Sequence, residues 1–256
     1  GGVHCDEPER AIAASLGVGL LQFEFEEFDS QDRRLVKESG WLPGLEGRCE
    51  VTGQRATFGI DFRYYSGDVD YDGQTSAGVP IHSTTDADIV DLSLEAAYRL
   101  PLGLPPRVSL YAGGGYRHWD RNIQSVGAIS GLDETYRWWR AEAGVKLQLA
   151  RGANAWELEA GLTRTLNPQV EIDFGATFDA VTLDLGERWG WRTAAGWSHR
   201  VAPQLTAGVD VFYASWDLGQ SGVETLTSNG VSAGSVFQPC SECRNYGAVL
   251  NLQRDW

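Results

Sequence analysis

The sequence has no methionine, only two lysines (Lys37 and Lys146) among 21 basic residues, and no apolar run near the roughly 18 residues that a membrane-crossing helix requires. With a mean hydropathy of -0.28, spanning a membrane with helices is excluded. The stretch from Gly1 to Glu9 lacks the basic start and apolar core of a secretory signal, so any such signal is expected to have been removed or to lie outside this numbering. The four cysteines sit in no thiol-enzyme motif, which fits an oxidising compartment better than the cytosol. A net charge of -14 disfavours nucleic acid as a partner.

What the chain does have is glycine (31), tryptophan (10) and tyrosine (9), the residues of tight turns and of strands with aromatic ends. Apolar and polar residues alternate with the period of two that marks strands with unlike faces. Ten such stretches are read, over residues 15–28, 44–53, 55–66, 88–100, 107–119, 134–149, 154–167, 181–201, 204–216 and 244–256. Short connections at 53–54, 101–106, 151–154 and 202–203 alternate with long ones at 29–43, 67–87, 120–133, 168–180 and 217–243. No repeat, low-complexity tract or linker divides the chain, so residues 1–256 are read as one domain, with 1–14 as an N-terminal segment ahead of the first strand.

One face of these strands carries Phe58, Ile60, Phe62 and Tyr64, then Val90, Leu92, Leu94, Ala96 and Tyr98, with similar rows at Trp156–Leu162 and Leu205–Tyr213. The other carries Glu46, Arg48, Asp61, Arg63, Asp91, Glu95, Arg117, Arg140, Glu142, Glu157, Glu159, Asp184, Arg188, Arg192 and Asp210. Alternation alone also suits a soluble sheet. The aromatics discriminate: Tyr64, Tyr116, Trp139, Trp189 and Tyr213 lie toward the long loops, and Tyr98, Trp156, Trp197 and Trp256 toward the short turns. Such rows stand about eight residues, or roughly 19 Å, apart on tilted strands, approaching the apolar band of about 25 Å in a membrane barrel.

Sorted loops, aromatic girdles and a last strand placing Tyr246, Ala248, Leu250, Leu252 and Trp256 on one face resemble the Gram-negative outer-membrane β-barrel proteins. That resemblance implies an all-β fold, a closed antiparallel transmembrane up-and-down barrel of about ten strands rather than eight or twelve, with both termini periplasmic. It also implies recognition by the barrel-assembly machinery, whose C-terminal signal usually ends in Phe where this chain has Trp256, and contact with outer-membrane lipid and lipopolysaccharide.

So narrow a lumen is filled by its own side chains, and interleaved arginines and carboxylates satisfy one another there. The reading that follows is an envelope or surface interaction protein with a closed, charged lumen, reaching a protein partner through its loops or its periplasmic face. A narrow channel for small solutes is one alternative. A surface hydrolase is the other, because ten strands also resemble the omptin proteases, which carry an Asp pair and an Asp–His pair on opposite walls. Here Asp68, Asp70 and His82 stand in the second long loop, but the fourth has Asp173 and Asp179 without a histidine. His118 and Asp120 stand on another wall, and the adjacent Ser198 and His199 point to opposite faces.

Asp68, Asp70 and Asp72, followed by Gly73, open like a calcium loop, but Val79 stands where the bidentate Glu belongs; the expectation is a solvated acidic loop tip and no cofactor, with a weaker Ca2+ site completed by other loop oxygens as the alternative. For the cysteines the simplest pairing is Cys240 with Cys243 and Cys5 with Cys49, one of three ways to pair four.

Overall fold

The computed structural model describes residues 11–75, 78–103 and 105–256. It is built of strands: β1 (Ala11–Phe28), β2 (Arg34–Thr52), β3 (Ala56–Gln74), β4 (Pro80–Arg99), β5 (Arg107–Ile123), β6 (Leu132–Arg151), β7 (Asn154–Asp173), β8 (Val181–Asp184), β9 (Trp189–Ala202), β10 (Leu205–Leu218), β11 (Glu224–Ser228), β12 (Val231–Val236) and β13 (Cys240–Asp255). The long strands pair antiparallel in the order β6-β5-β4-β3-β2-β1-β13-β10-β9-β7, and β6 pairs with β7 to close a ten-stranded barrel. Closure leaves no barrel edge unpaired. Strand β8 folds back on the end of β7, and β11 and β12 form a separate hairpin inside the last connection.

The strands run well past the expected boundaries. Residues 11–14, assigned to an N-terminal segment, already belong to β1, and residues 1–10 lie outside the described residues. Most of the expected long loops are strand: β2 begins at Arg34, β3 continues to Gln74, and β4 begins at Pro80. The two ends of the barrel therefore differ in how far their hairpins extend more than in loop length.

This extension has a physical signature. Near the short turns the outward row is apolar, as with Leu92 and Leu94, and the inward row is charged, as with Asp91 and Glu95. Toward the long hairpins the arrangement inverts. Phe23, Phe25, Val69, Ile89, Trp119 and Tyr136 turn inward and are buried, while Asp68, Asp70, Asp86 and Asp120 turn outward. At the inversion two apolar residues must be adjacent in sequence, one for each face. Such doublets occur at Leu20-Leu21, Trp41-Leu42, Tyr64-Tyr65, Ile89-Val90, Trp138-Trp139 and Phe212-Tyr213. The register aligns them: Leu21 is opposite Leu42, Tyr64 opposite Val90, and Tyr65 opposite Ile89. Two of their outward members, Trp41 and Tyr213, join Trp191 and Tyr246 in an aromatic belt, with Trp191 on Tyr213 (4.8 Å between ring centroids), Tyr213 near Tyr246 (6.5 Å) and Trp41 near Tyr246 (6.0 Å).

On β7 the inversion uses a bulge. Arg137 and Trp139 of β6 face Gln169 and Leu166, so β7 holds one extra residue, and Asn167 takes φ +47° there. The bulge turns Val170 and Ile172 inward, where Thr163 and Thr165 had set the opposite parity.

Candidate functional site

At the level of the apolar belt the lumen is crossed by an ion network. Asp91 of β4 accepts from Arg117 of β5, at 3.0 Å from Nε, and from Arg140 of β6 at 2.6 Å. Arg192 of β9 reaches Glu142 at 3.4 Å and Glu159 at 3.2 Å. Lys146 binds Glu95 at 2.5 Å and Glu159 at 3.5 Å, and Arg48 joins Glu50, Asp61 and Glu95. Two tyrosines lie along the barrel wall over glycines of the next two strands: Tyr65 over Gly44 and Gly19, its hydroxyl donating to Glu46 at 2.6 Å, and Tyr111 over Gly144 and Gly161, donating to Glu159 at 2.9 Å. A side chain at Gly44 would collide with the Tyr65 ring, so the glycines make room for these rings to lie flat on the inner wall.

The structure thus places Glu46, Arg48, Asp61, Arg63, Asp91, Glu95, Arg117, Arg140, Glu142, Glu157, Glu159, Arg192 and Asp210 on the inward face. Asp184 is a correction: it is exposed, because the β7 bulge and the break between β8 and β9 change the parity that placed it inside. Arg188 is exposed as well, although it stands opposite the inward Thr165. Asp184 accepts from Gln169 on the outer side, and Arg188 lies beside Gly186 and Gly219.

Above this network, toward the long hairpins, the lumen is packed with aromatic rings. Trp119 meets Phe23 and Phe25 edge-on, each at 5.1 Å, and stacks on Tyr136 at 4.7 Å. Arg121 is buried over Phe25 (4.9 Å) among three carboxylates. Its Nε reaches both oxygens of Glu38 at 2.9 and 3.0 Å, and its Nη1 lies 2.5 Å from Glu134 and 3.4 Å from Glu27. Thr85 also donates to Glu38, at 2.6 Å. One guanidinium cannot neutralise three acids. Burial pushes Glu27 up to about 7, opposed by Arg121 and reinforced by Glu134 and Glu38; burial also raises Glu38. From the last connection Gln238 donates to Glu27 at 2.9 Å, tying that segment to the core. This cluster was not read from the sequence, because Glu38 and Arg121 fell in stretches taken for loops.

The outer wall at this height is acidic. Asp68, Asp70 and Asp72 lie on one outward face of β3, in extended strand rather than in a converging loop. Among the described residues no group of three or more His, Cys, Asp or Glu is arranged to hold a metal. Desolvation and a hydrogen bond with Asp68 raise Asp86. His118 contacts Asp120 at 2.9 Å and His82 contacts Asp72 at 3.4 Å, both on the outer wall, with the lumen beside them filled. His199 contacts Asn154 at 3.0 Å on the outward face, while Ser198 lines the lumen.

The expected disulfide between Cys240 and Cys243 does not form. Both thiols are free, on opposite faces of β13, with Cys240 exposed and Cys243 buried, so an extended strand directs them apart. Cys49 is free and outward on β2, and Cys5, its expected partner, lies outside the described residues.

The profile of the outer membrane protein beta-barrel domain family matches residues 6–175, well over half of the chain. Among solved structures, the outer membrane protease OmpT from Escherichia coli is similar at a TM-score of 0.65 and 12% identity, with 97% of each chain covered. The outer membrane protein OprG from Pseudomonas aeruginosa aligns at a TM-score of 0.44 and 9% identity, over 98% of this chain and 97% of that one. No curated protein matches the sequence.

Proposed function

The chain belongs to the outer-membrane β-barrel domain family, and from that premise we propose that it is a non-conducting barrel whose acidic outer half is an interaction surface of the cell envelope. The long hairpins then face the cell exterior, and the short turns and both termini face the periplasm. The observation that carries this reading is the double closure of the lumen, by the ion network around Asp91, Arg140, Glu142 and Arg192 and by the aromatic packing of Phe23, Phe25, Trp119 and Tyr136 above it. A path for solute would have to breach both. The outward rows of Asp68, Asp70, Asp72, Asp86, Asp88 and Asp120 suit cationic partners: basic protein segments, or lipopolysaccharide bridged by divalent cations. In this reading function resides on the outer half of a rigid scaffold.

Single-channel recording in planar bilayers, at neutral pH with and without calcium, tests the closure. Silent insertion of correctly folded protein is expected in both conditions. Steady conductance would overturn the proposal in favour of a solute channel.

A further inference from the structure

The end of the lumen nearest the short turns is open. Below the ion network lies a cup of about 390 Å³, roofed by Arg48, Glu95 and Lys146. Its wall on one side carries three more cations: Arg55 from the turn between β2 and β3, Arg99 at the end of β4, and Arg107 at the start of β5. The backbone N–H of Arg99 donates to the carbonyl of Arg55 at 2.7 Å. Arg99 faces Ser109 across the β4–β5 pair, two residues from Arg107, so the two guanidiniums are diagonal neighbours on one face. Of the carboxylates that line the cup, Glu50 and Glu95 pair with Arg48 and Lys146, and Glu157 and Asp210, on β7 and β10, accept from Gln148 and Asn251; among the described residues Arg55, Arg99 and Arg107 form no ion pair. Arg99 Nε is buried without any hydrogen-bond partner.

Like charges gathered at a cavity wall, one with a desolvated and unused donor, are unfavourable until an anion joins them. Guanidinium forks match the oxygens of phosphate in bidentate pairs, and Thr57 and Ser109 supply neutral hydroxyls on the same surface. We propose that this cup is an anion site for a phosphate group, entered only from the short-turn end because the roof is closed. Its placement in the periplasm rests on the orientation proposed above; anion binding itself does not. The phosphate is either that of a soluble compound or the headgroup of a neighbouring anionic phospholipid.

The test uses the full chain in phosphatidylcholine nanodiscs, equilibrium dialysis against radiolabelled inorganic phosphate at constant ionic strength, and the double variant Arg99→Gln/Arg107→Gln. Folding is checked by heat-modifiable gel mobility. One saturable site is expected, weakened by at least about tenfold in the double variant through loss of charge-assisted bonds. A second arm uses phosphatidylglycerol nanodiscs and native mass spectrometry. Phosphatidylglycerol retained by the wild type, lost in the variant and competing with phosphate identifies the lipid source; phosphate binding without such retention identifies a soluble one. If neither probe binds the wild type, or if both bind the folded variant equally well, the site is overturned. A conducting barrel would sink the closed-scaffold reading yet leave this result to be judged on its own.

Discussion

At the residue scale the least balanced feature is Arg121 with Glu27, Glu38 and Glu134. Because Glu27 is pushed up to about 7 by burial, the folded barrel holds a proton that the unfolded chain, with a carboxyl near 4.5, has already released across that window. Stability from this group is therefore present at low pH and is lost as the pH rises toward 7, with a slope of at most about 1.4 kcal/mol per pH unit for one proton. Denaturant unfolding in micelles at a series of pH values should show this decline, and Glu27→Gln should flatten it. The glutamine keeps the shape and an acceptor for Gln238 while removing the charge. An unchanged pH profile in the variant would mean that Glu27 does not hold that proton.

Elements are joined above the membrane level by one aspartate. Asp179, in the connection between β7 and β8, accepts from Thr227 Oγ1 at 2.6 Å and from the backbone N–H groups of Asn229 (3.1 Å) and Gly230 (2.9 Å). Its own N–H donates to the Thr227 carbonyl at 2.8 Å, and the bonds to its carboxylate hold it below its ordinary range. It thus fastens the β11–β12 hairpin, whose turn needs Asn229 and Gly230 at φ +51° and +75°. Asp179→Ala should leave the barrel intact and speed protease cleavage near residues 224–236 several-fold. Cleavage at the wild-type rate would show that the hairpin is held elsewhere.

For the whole molecule the decisive contrast is between two solvents along one set of strands. Leu94 lies in the middle of the outward row on β4 and is 58% exposed in the isolated chain, an exposure that makes sense in lipid. Leu94→Arg should cost about 2–4 kcal/mol in reversible unfolding from lipid vesicles, as expected for a cation near the bilayer midplane. A cost near zero would place that row in water.

Closure of the barrel, the direction of its apolar rows and most of its lumen charges were legible in the sequence, because a strand's period of two assigns every residue a face once lipid claims one of them. The upper halves of the strands were not. There the apolar residues change parity, as from Phe62 and Tyr64 to Tyr65 and Val69, and a row of outward aspartates reads as a loop when lipid is taken as the only apolar phase. The interior of the barrel is a second one. Only the closed tertiary structure, by bringing Phe23, Trp119 and Tyr136 from β1, β5 and β6 into contact, shows that these residues have a core to enter. The same holds for Arg121 and its carboxylates, and for the arginines of the cup. Their meeting depends on strand register around a cylinder, which local alternation does not encode.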